Sequence, residues 1–444
     1  MRIVWWKRLI WDIVIAFFLP LFLIAALVPA RRRDLLLWGV EPGIGNKYWS
    51  AAMKEVGYNS MTLMSDHYGI NARDDFDRYY ADFVPLPLPK SARWALGSCL
   101  SFIFTLRRGK VVHTSFWGFS LGLSSWWRLE RFFFRLAGLK VVIIGFGGDI
   151  YLYSTLADPS LRYGLLASYP HLALDEQLTA AKVHYWARNA DCLLTGYMID
   201  GIGRWDVTTN SVYIVDTSTW SAKTDYSTHD GLTGPVKILH APNHRGFKGT
   251  EFIIDAVEQL RAEGLLVELV LVEKVPNHRI RELMQEVDIL ADQCIMTGYA
   301  LNSMEGMASG LPVLANHEES FYTRVFRRYG FLNECPILST SPENIVANIR
   351  TLVMNPELRK TLGLAGRQFA EKYHSFTSHQ YLFGAIYTKI VDGKDVDLMN
   401  LFHPLKSSYN RQTPRVNHPL VNSKLPSDWS DARGNAVERG GPVL

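Results

Sequence analysis

Apolar residues run almost unbroken from 13 to 28, and after Arg31-Arg32-Arg33 the pattern changes to short apolar runs parted by glycine turns and helical spacing. Runs of five to seven apolar residues without alternation suit strands covered on both faces, as in a parallel sheet. Residues 34–40 form such a run, followed by the turn Glu41-Pro-Gly-Ile-Gly-Asn, a helix over 47–56 and a strand over 60–64. Strand, glycine turn, helix, strand is the start of a doubly wound α/β domain. Further strands are expected at 110–115, 139–144, 187–195 and 211–215, and a helix at 124–136. A polar, glycine-rich stretch at 225–235 then precedes a restart, with strands at 236–240 and 267–272 and helices at 250–263, 343–353, 356–372 and 377–391. Between them, 291–316 reads as a loop, a small-residue helix closed by Gly310, and a strand.

This divides the chain into a hydrophobic segment (1–33), a first Rossmann-like domain (34–220), a linker (221–235) and a second Rossmann-like domain (236–376). A helix (377–392) and a polar tail expected to be mobile (393–444) complete it. The expected fold class is α/β, two doubly wound parallel-sheet domains facing a cleft. The apolar run is long enough to enter or cross a bilayer, although Asp12 just before it and Pro20 within it weaken it as a clean span. A retained membrane anchor leads over a cleaved signal peptide and a buried helix of the soluble fold.

Composition narrows the classes. With 444 residues, 48% hydrophobic and 20% charged, the chain has enough material for two cores. The net charge of +4 and the lack of a lysine block do not suggest a nucleic-acid partner. Four scattered cysteines suit neither a disulfide framework nor a zinc site. Arg128, Arg131 and Arg135, interleaved with tryptophans and phenylalanines at helical spacing, suit either a membrane surface or a core helix with a solvated stripe.

The candidate chemistry is concentrated after residue 240. Arg245 and Lys248 follow a strand and precede a helix, an arrangement that suits phosphate oxygens. Glu305 is a carboxylate inside a small, apolar helix and needs a polar partner such as a ligand hydroxyl. Asp75-Phe-Asp77 has the spacing of a metal-binding DxD but lies among charges with no strand leading into it, so it reads as surface, and no metal is expected. Gly43 and Gly45 would let backbone approach a ligand or simply make a tight turn. His113 ends a strand, and Asp149 is either a functional acid at a strand end or a cap.

The phrases GFKGTEFIIDAVEQL, SMEGMASGLPVLA and SPENIVANIRTLVMNPELRKTLGLAGRQFAEKYHSF resemble the two-Rossmann, B-type glycosyltransferases, specifically the large retaining family 4 in its bacterial form. The resemblance is specific over 237–376. It implies a metal-independent, cofactor-free transferase whose substrate is a nucleotide-diphosphate sugar. Arg245, Lys248 and the Gly298-Tyr299 amides would meet the donor diphosphate, and Glu305 the ribose. His113 and Asp149 would be catalytic, and Gly43 and Gly45 would line the acceptor side. The family commonly has a second Glu eight positions before Glu305. Thr297 stands there, so Thr297 and Asp292 become the candidates for the donor sugar. The acceptor implied is a saccharide or lipid-linked saccharide in cell-surface polysaccharide or glycolipid synthesis, with membrane-associated, cytoplasmic catalytic domains. A nucleotide-sugar epimerase, or a degenerate nucleotide-binding subunit of a polysaccharide assembly complex, are the alternatives. Lys248→Ala is expected to abolish transfer and leave the fold intact.

Overall fold

The computed structural model describes residues 5–30, 32–69, 71–318, 320–412 and 414–429. Arg31 and the end of the tail, 430–444, lie outside the described residues. Two compact units form. The first takes Met1–Leu152, Asp175–Thr208 and His379–Leu398; the second takes Tyr153–Leu174, Thr209–Ser378 and Met399–Leu444.

The first unit is built on strands β1 (Leu35–Val40), β2 (Ser60–Met64), β3 (Arg78–Tyr79), β4 (Gly109–Thr114), β5 (Lys140–Ile144), β6 (Cys192–Thr195) and β7 (Val207–Thr208). Their order is β3-β2-β1-β4-β5-β6-β7, and every pairing is parallel. The core strands are apolar on both faces because helices cover both sides. Two expected strands move. Residues 187–189 belong to the helix Glu176–Asn189, which buries Trp186 and Ala187, and 210–212 form a 3-10 turn begun by Thr209, whose side chain accepts from the Ser211 amide. The edge strand is the pair Val207–Thr208 instead.

The second unit carries β8 (Val236–His240), β9 (Val267–Leu271), β10 (Ile289–Thr297), β11 (Val313–Asn316) and β12 (Leu338–Ser339), in the order β12-β11-β10-β8-β9, all parallel. β10 extends seven residues beyond Leu290 and shifts register against β11 after Ala291 and after Gln293, taking Asp292 and Thr297 into strand rather than loop. Residues 225–235, expected to be a linker, are part of this unit. The Tyr226 hydroxyl donates to the Gly310 carbonyl (3.1 Å), and Arg359 donates to the carbonyls of Ser227 (3.0 Å) and His229 (2.6 Å). The segment Tyr153–Leu174, expected in the first domain, also belongs here. The tail is not loose as far as residue 429. Leu398, Phe402, Val416 and Leu420 are buried, and the Val416 amide donates to Glu334 (3.0 Å).

The apolar N-terminal run is helix α1 (Trp5–Leu27), with Pro20 inside it. Among the described residues it is the one helix long and apolar enough to cross a membrane. It is also a core element. Trp11, Ile15, Phe22, Ala25 and Ala26, at helical spacing, pack into the first unit's core. Phe22 meets Phe102 of the helix Lys90–Arg108 edge to face at 4.9 Å and Phe133 of the helix Leu129–Leu136 at 5.7 Å. Asp12, which directly precedes the apolar run in sequence, accepts from the Ser125 amide (2.9 Å) and hydroxyl (2.7 Å). Arg107 donates to the Val28 carbonyl (2.7 Å), and Arg33 to those of Ala26 and Ala137, which satisfies part of the helix's C-terminal end. Removal of α1 as a cleaved signal would strip this core of one wall. The opposite face exposes Ile10, Ile13, Phe17, Leu21 and Ile24.

The helix Leu129–Leu136 starts five residues later than expected, and the arginines on and beside it divide. Arg131 is buried against Asp191 (2.9 Å), while Arg128 and Arg135 are exposed. Asp75 and Asp77 pair with Lys47 (2.7 Å) and Lys54 (2.9 Å), which matches their reading as surface residues.

Candidate functional site

In a doubly wound sheet, ligands bind beyond the carboxyl ends of the strands where the strand order reverses. In the second unit the reversal lies between β8 and β10, since the chain goes from β8 out to β9 and then crosses to β10. The loop after β8 carries Lys248, β10 carries Asp292, and the helix Leu301–Ala308 after β10 carries Glu305.

Lys248 is buried, with its Nζ 2.6 Å from Asp292 Oδ1 and donating to Gln293 Oε1 at 2.9 Å. Asn302 Nδ2 (3.1 Å) and Ser303 Oγ (2.5 Å) donate to the same Asp292 carboxylate. Burial alone would raise the Asp292 pKa, but the Lys248 charge and these donors hold it below its ordinary value. The pair is therefore ionic and internally satisfied, as a buried ion pair must be. Asp292 is the counter-ion of Lys248, whereas the sequence made it a candidate for contacting the donor sugar. Gly249, directly after Lys248, has φ +77°, and a Cβ there would lie 2.2 Å from Cys294 Sγ. Only glycine permits this turn against β10.

His240 at the end of β8 braces the arrangement. Its Nδ1 lies 2.7 Å from the Ala291 carbonyl and its Nε2 2.8 Å from Thr250 Oγ1, linking β8 to β10 and to the helix Thr250–Ala262. Burial pushes its pKa down to about 4, so it is a neutral brace. The helix Pro159–Ser168 also packs here. A Cβ on Gly164 would lie 3.0 Å from Phe247 Cα, and the Tyr169 ring sits 4.3 Å from that of His244. The signal for that helix was in the sequence, Asp158-Pro159, and Asp158 does cap it through the Ser160 and Leu161 amides.

Glu305 is buried and accepts from Asn277 Nδ2 at 3.2 Å. Burial is the main reason its pKa rises to about 8; the Asn277 bond opposes that rise, nearby Asp292 adds to it and Lys248 opposes it. Such an acid keeps its proton in the fold while the unfolded chain releases it above about pH 4.5, so its contribution to stability falls as pH rises from about 4.5 to about 8. Glu305→Gln should remove that part of the slope. Melting temperatures from pH 4.5 to 8.5 check this, and parallel curves for variant and parent would contradict it.

Arg245 stands apart from the buried cluster. It is partly exposed and pairs with Glu251 (2.7 Å) and Glu273 (3.3 Å). Exposed pairs of this kind contribute only about 0–1 kcal/mol, so an incoming phosphate competes with them easily. The expectation for the Gly298-Tyr299 amides is corrected in part. The Gly298 amide donates to the Asn316 carbonyl at 2.7 Å, and its φ of +103° serves that turn. The Tyr299 side chain is buried, with its hydroxyl 2.9 Å from His374 Nε2. Thr297 is buried at the end of β10, opposite Asn316.

The catalytic expectations in the first unit are also corrected. His113 is buried, stacked on Trp38 at 3.6 Å, with Nδ1 3.0 Å from the Leu37 carbonyl and Nε2 2.9 Å from the Tyr387 hydroxyl. Burial pushes its pKa down to about 3, so it is a neutral core histidine with both nitrogens occupied. Asp149 is buried and accepts from the amides of Phe116 (3.0 Å), Phe146 (2.8 Å) and Gly147 (2.9 Å), so it organises loops. Gly43 and Gly45 have ordinary negative φ. A Cβ on Gly43 would touch Phe146 at 3.9 Å, and one on Gly45 would meet the Trp49 ring at 3.2 Å. The sequence reading missed Glu41, at the end of β1. Burial, with Asp149 adding to it, raises its pKa to about 7, and its carboxylate accepts from the Tyr68 hydroxyl.

The segment holding Lys248, Asp292 and Glu305 has known counterparts. Residues 248–369 match the family described as Glycosyl transferases group 1. An uncharacterised glycosyltransferase of Methanocaldococcus jannaschii is 25% identical over 146 residues, 28% of this chain, and the chain spans 40% of that relative's length. The fold extends further. The sucrose-phosphate synthase of Thermosynechococcus elongatus superposes with a TM-score of 0.53 and 13% identity, covering 82% of this chain and all of that one. A glycosyltransferase of Rickettsia africae does so with 0.52 and 11%, again covering 82% and 100%. The protein has the B-type fold of two parallel-sheet Rossmann-like units.

Proposed function

We propose that the protein is a glycosyltransferase that moves a sugar from a nucleoside diphosphate donor to a saccharide or lipid-linked saccharide. The observation that carries this reading is the buried Lys248–Asp292 pair, which joins the segment after β8 to β10, with Glu305 on the helix after β10, inside the matched segment. Breaking the bond between the anomeric carbon and the diphosphate gathers negative charge on the leaving oxygen. Lys248, presented rigidly by Asp292 and Gln293, supplies a fixed positive charge there, and Arg245 can exchange its exposed acids for phosphate oxygens. Glu305 receives the ribose hydroxyls in place of Asn277. Retention of anomeric configuration and independence of metal follow from the family resemblance. The exposed apolar face of α1, with Arg135 on and Arg128 just before the helix Leu129–Leu136, supports an anionic membrane surface as a partner.

Thermal shift with UDP, GDP, ADP and CMP tests the donor site. A nucleotide present at 100 times its dissociation constant adds about 2.7 kcal/mol of stability. At least one nucleotide should raise the melting temperature of the parent and do so less in Glu305→Gln. No shift with any of them would refute the donor site, and interconversion of a nucleotide sugar without acceptor would favour an epimerase.

A further inference from the structure

Arg245 and Glu305, assigned above to the diphosphate and the ribose, are both held by one short segment of the second unit. Glu273 Oε2 accepts from Arg245 Nη1 at 3.3 Å, and four residues further on Asn277 Nδ2 donates to Glu305 Oε1 at 3.2 Å. The segment leaves β9, where the Val272 amide donates to the His240 carbonyl (3.0 Å). It ends at the helix Asn277–Glu286, where the Pro276 carbonyl accepts from the Arg279 amide (3.0 Å). Among the described residues, no backbone hydrogen bond ties down Glu273, Lys274 or Val275. The side chains at its two ends therefore fix its position.

Lys274, inside the segment, has φ +56°, one of three non-glycine residues with positive φ among the described residues. Lysine is disfavoured in this left-handed region, so the segment turns under strain. Its end contacts are also modest. Glu273 is exposed and shares Arg245 with Glu251, and the Asn277 bond is a single amide contact. Both contacts use atoms that a nucleoside diphosphate would need, a guanidinium nitrogen for phosphate and a carboxyl oxygen for ribose. Because both belong to one run of five residues, loosening one end loosens the other.

Resting on the glycosyltransferase reading, we propose that residues 273–277 are a specificity latch. Glu273 competes with the donor diphosphate for Arg245, Asn277 competes with the ribose for Glu305, and the two ends release together. Lys274 is the turning point, and release relaxes its backbone. A ligand carrying both a diphosphate and a ribose replaces both contacts at once. A nucleoside or a free phosphate replaces one and is opposed by the other.

The full-length protein is titrated with UDP, GDP and ADP, with uridine, guanosine and adenosine, and with pyrophosphate. The test lies in effects that cross from one end to the other. Asn277→Ala, at the ribose end, should tighten pyrophosphate about three- to tenfold, and Glu273→Gln, at the phosphate end, should tighten a nucleoside by a similar factor. Glu251→Gln also removes an acid from Arg245 but lies on the helix Thr250–Ala262, so it should tighten pyrophosphate and leave nucleoside binding unchanged. Lys274→Gly, which accepts the turn freely, should raise the melting temperature without nucleotide and bind the nucleoside diphosphate about threefold more weakly than Lys274→Ala. Equal binding by those two would overturn Lys274 as the turning point. Variants that alter binding only at their own end, or weaker nucleoside diphosphate binding by Asn277→Ala, would overturn the latch and leave the donor site in place. No nucleotide binding by the parent or any variant would refute the donor reading, and the latch with it.

Discussion

Lys248→Ala should reduce sugar transfer by at least about 10²–10³-fold, the usual consequence of removing one fixed donor from developing negative charge. It should also cost the fold about 3–5 kcal/mol, because Asp292 would be left buried without its counter-ion. This differs from what the sequence suggests, where Lys248 is a cation between a strand and a helix whose loss leaves the fold intact. A paired variant separates the two effects. Lys248→Met with Asp292→Asn removes both charges, so urea unfolding should recover most of the lost stability while transfer stays at the level of the single variant. Transfer within about tenfold of the parent in the paired variant would show that Lys248 is a structural residue only.

The second large effect concerns α1. Phe22→Ala should destabilise the protein by about 3–5 kcal/mol, since Phe22 is fully buried between Phe102 and Phe133. Phe17→Ser, one and a half turns away on the exposed face, should change stability by no more than about 0.5 kcal/mol. It should instead weaken sedimentation with phosphatidylglycerol-containing vesicles. A helix that merely tethers the chain would give the opposite outcome for Phe22, with no change in melting. Equal vesicle binding by the parent and Phe17→Ser would remove the outer face of α1 from the membrane contact.

The apolar runs, their parallel character and the restart near 236 are decided by local pattern, so β1, β2, β4, β5, β8, β9 and β11 were legible from the chain alone, while β3, β7, β12 and the strand character of most of β10 were not. Lys248 and Glu305 also stood out in the sequence, because a cation in a short connecting segment and an acid among small apolar residues are exceptions to local rules. What a charged or polar residue faces was not legible. His113 and Asp149 sit at the strand ends where reactive groups are expected, yet both are saturated by core partners distant in sequence, Tyr387 for one and the Phe116 amide for the other. Asp292 was a plain acid in the sequence and became the partner of Lys248 only when β10 came beside the loop after β8. α1 shows the same division. Its hydrophobicity was set by composition, but a helix that is apolar all round does not record which face meets protein. That was decided by Asp12 reaching Ser125 and Phe22 reaching Phe102, contacts between segments about a hundred and about eighty residues apart in the chain. Local pattern determines which elements form; the partners of each buried charge are determined by packing, because only there does water leave it.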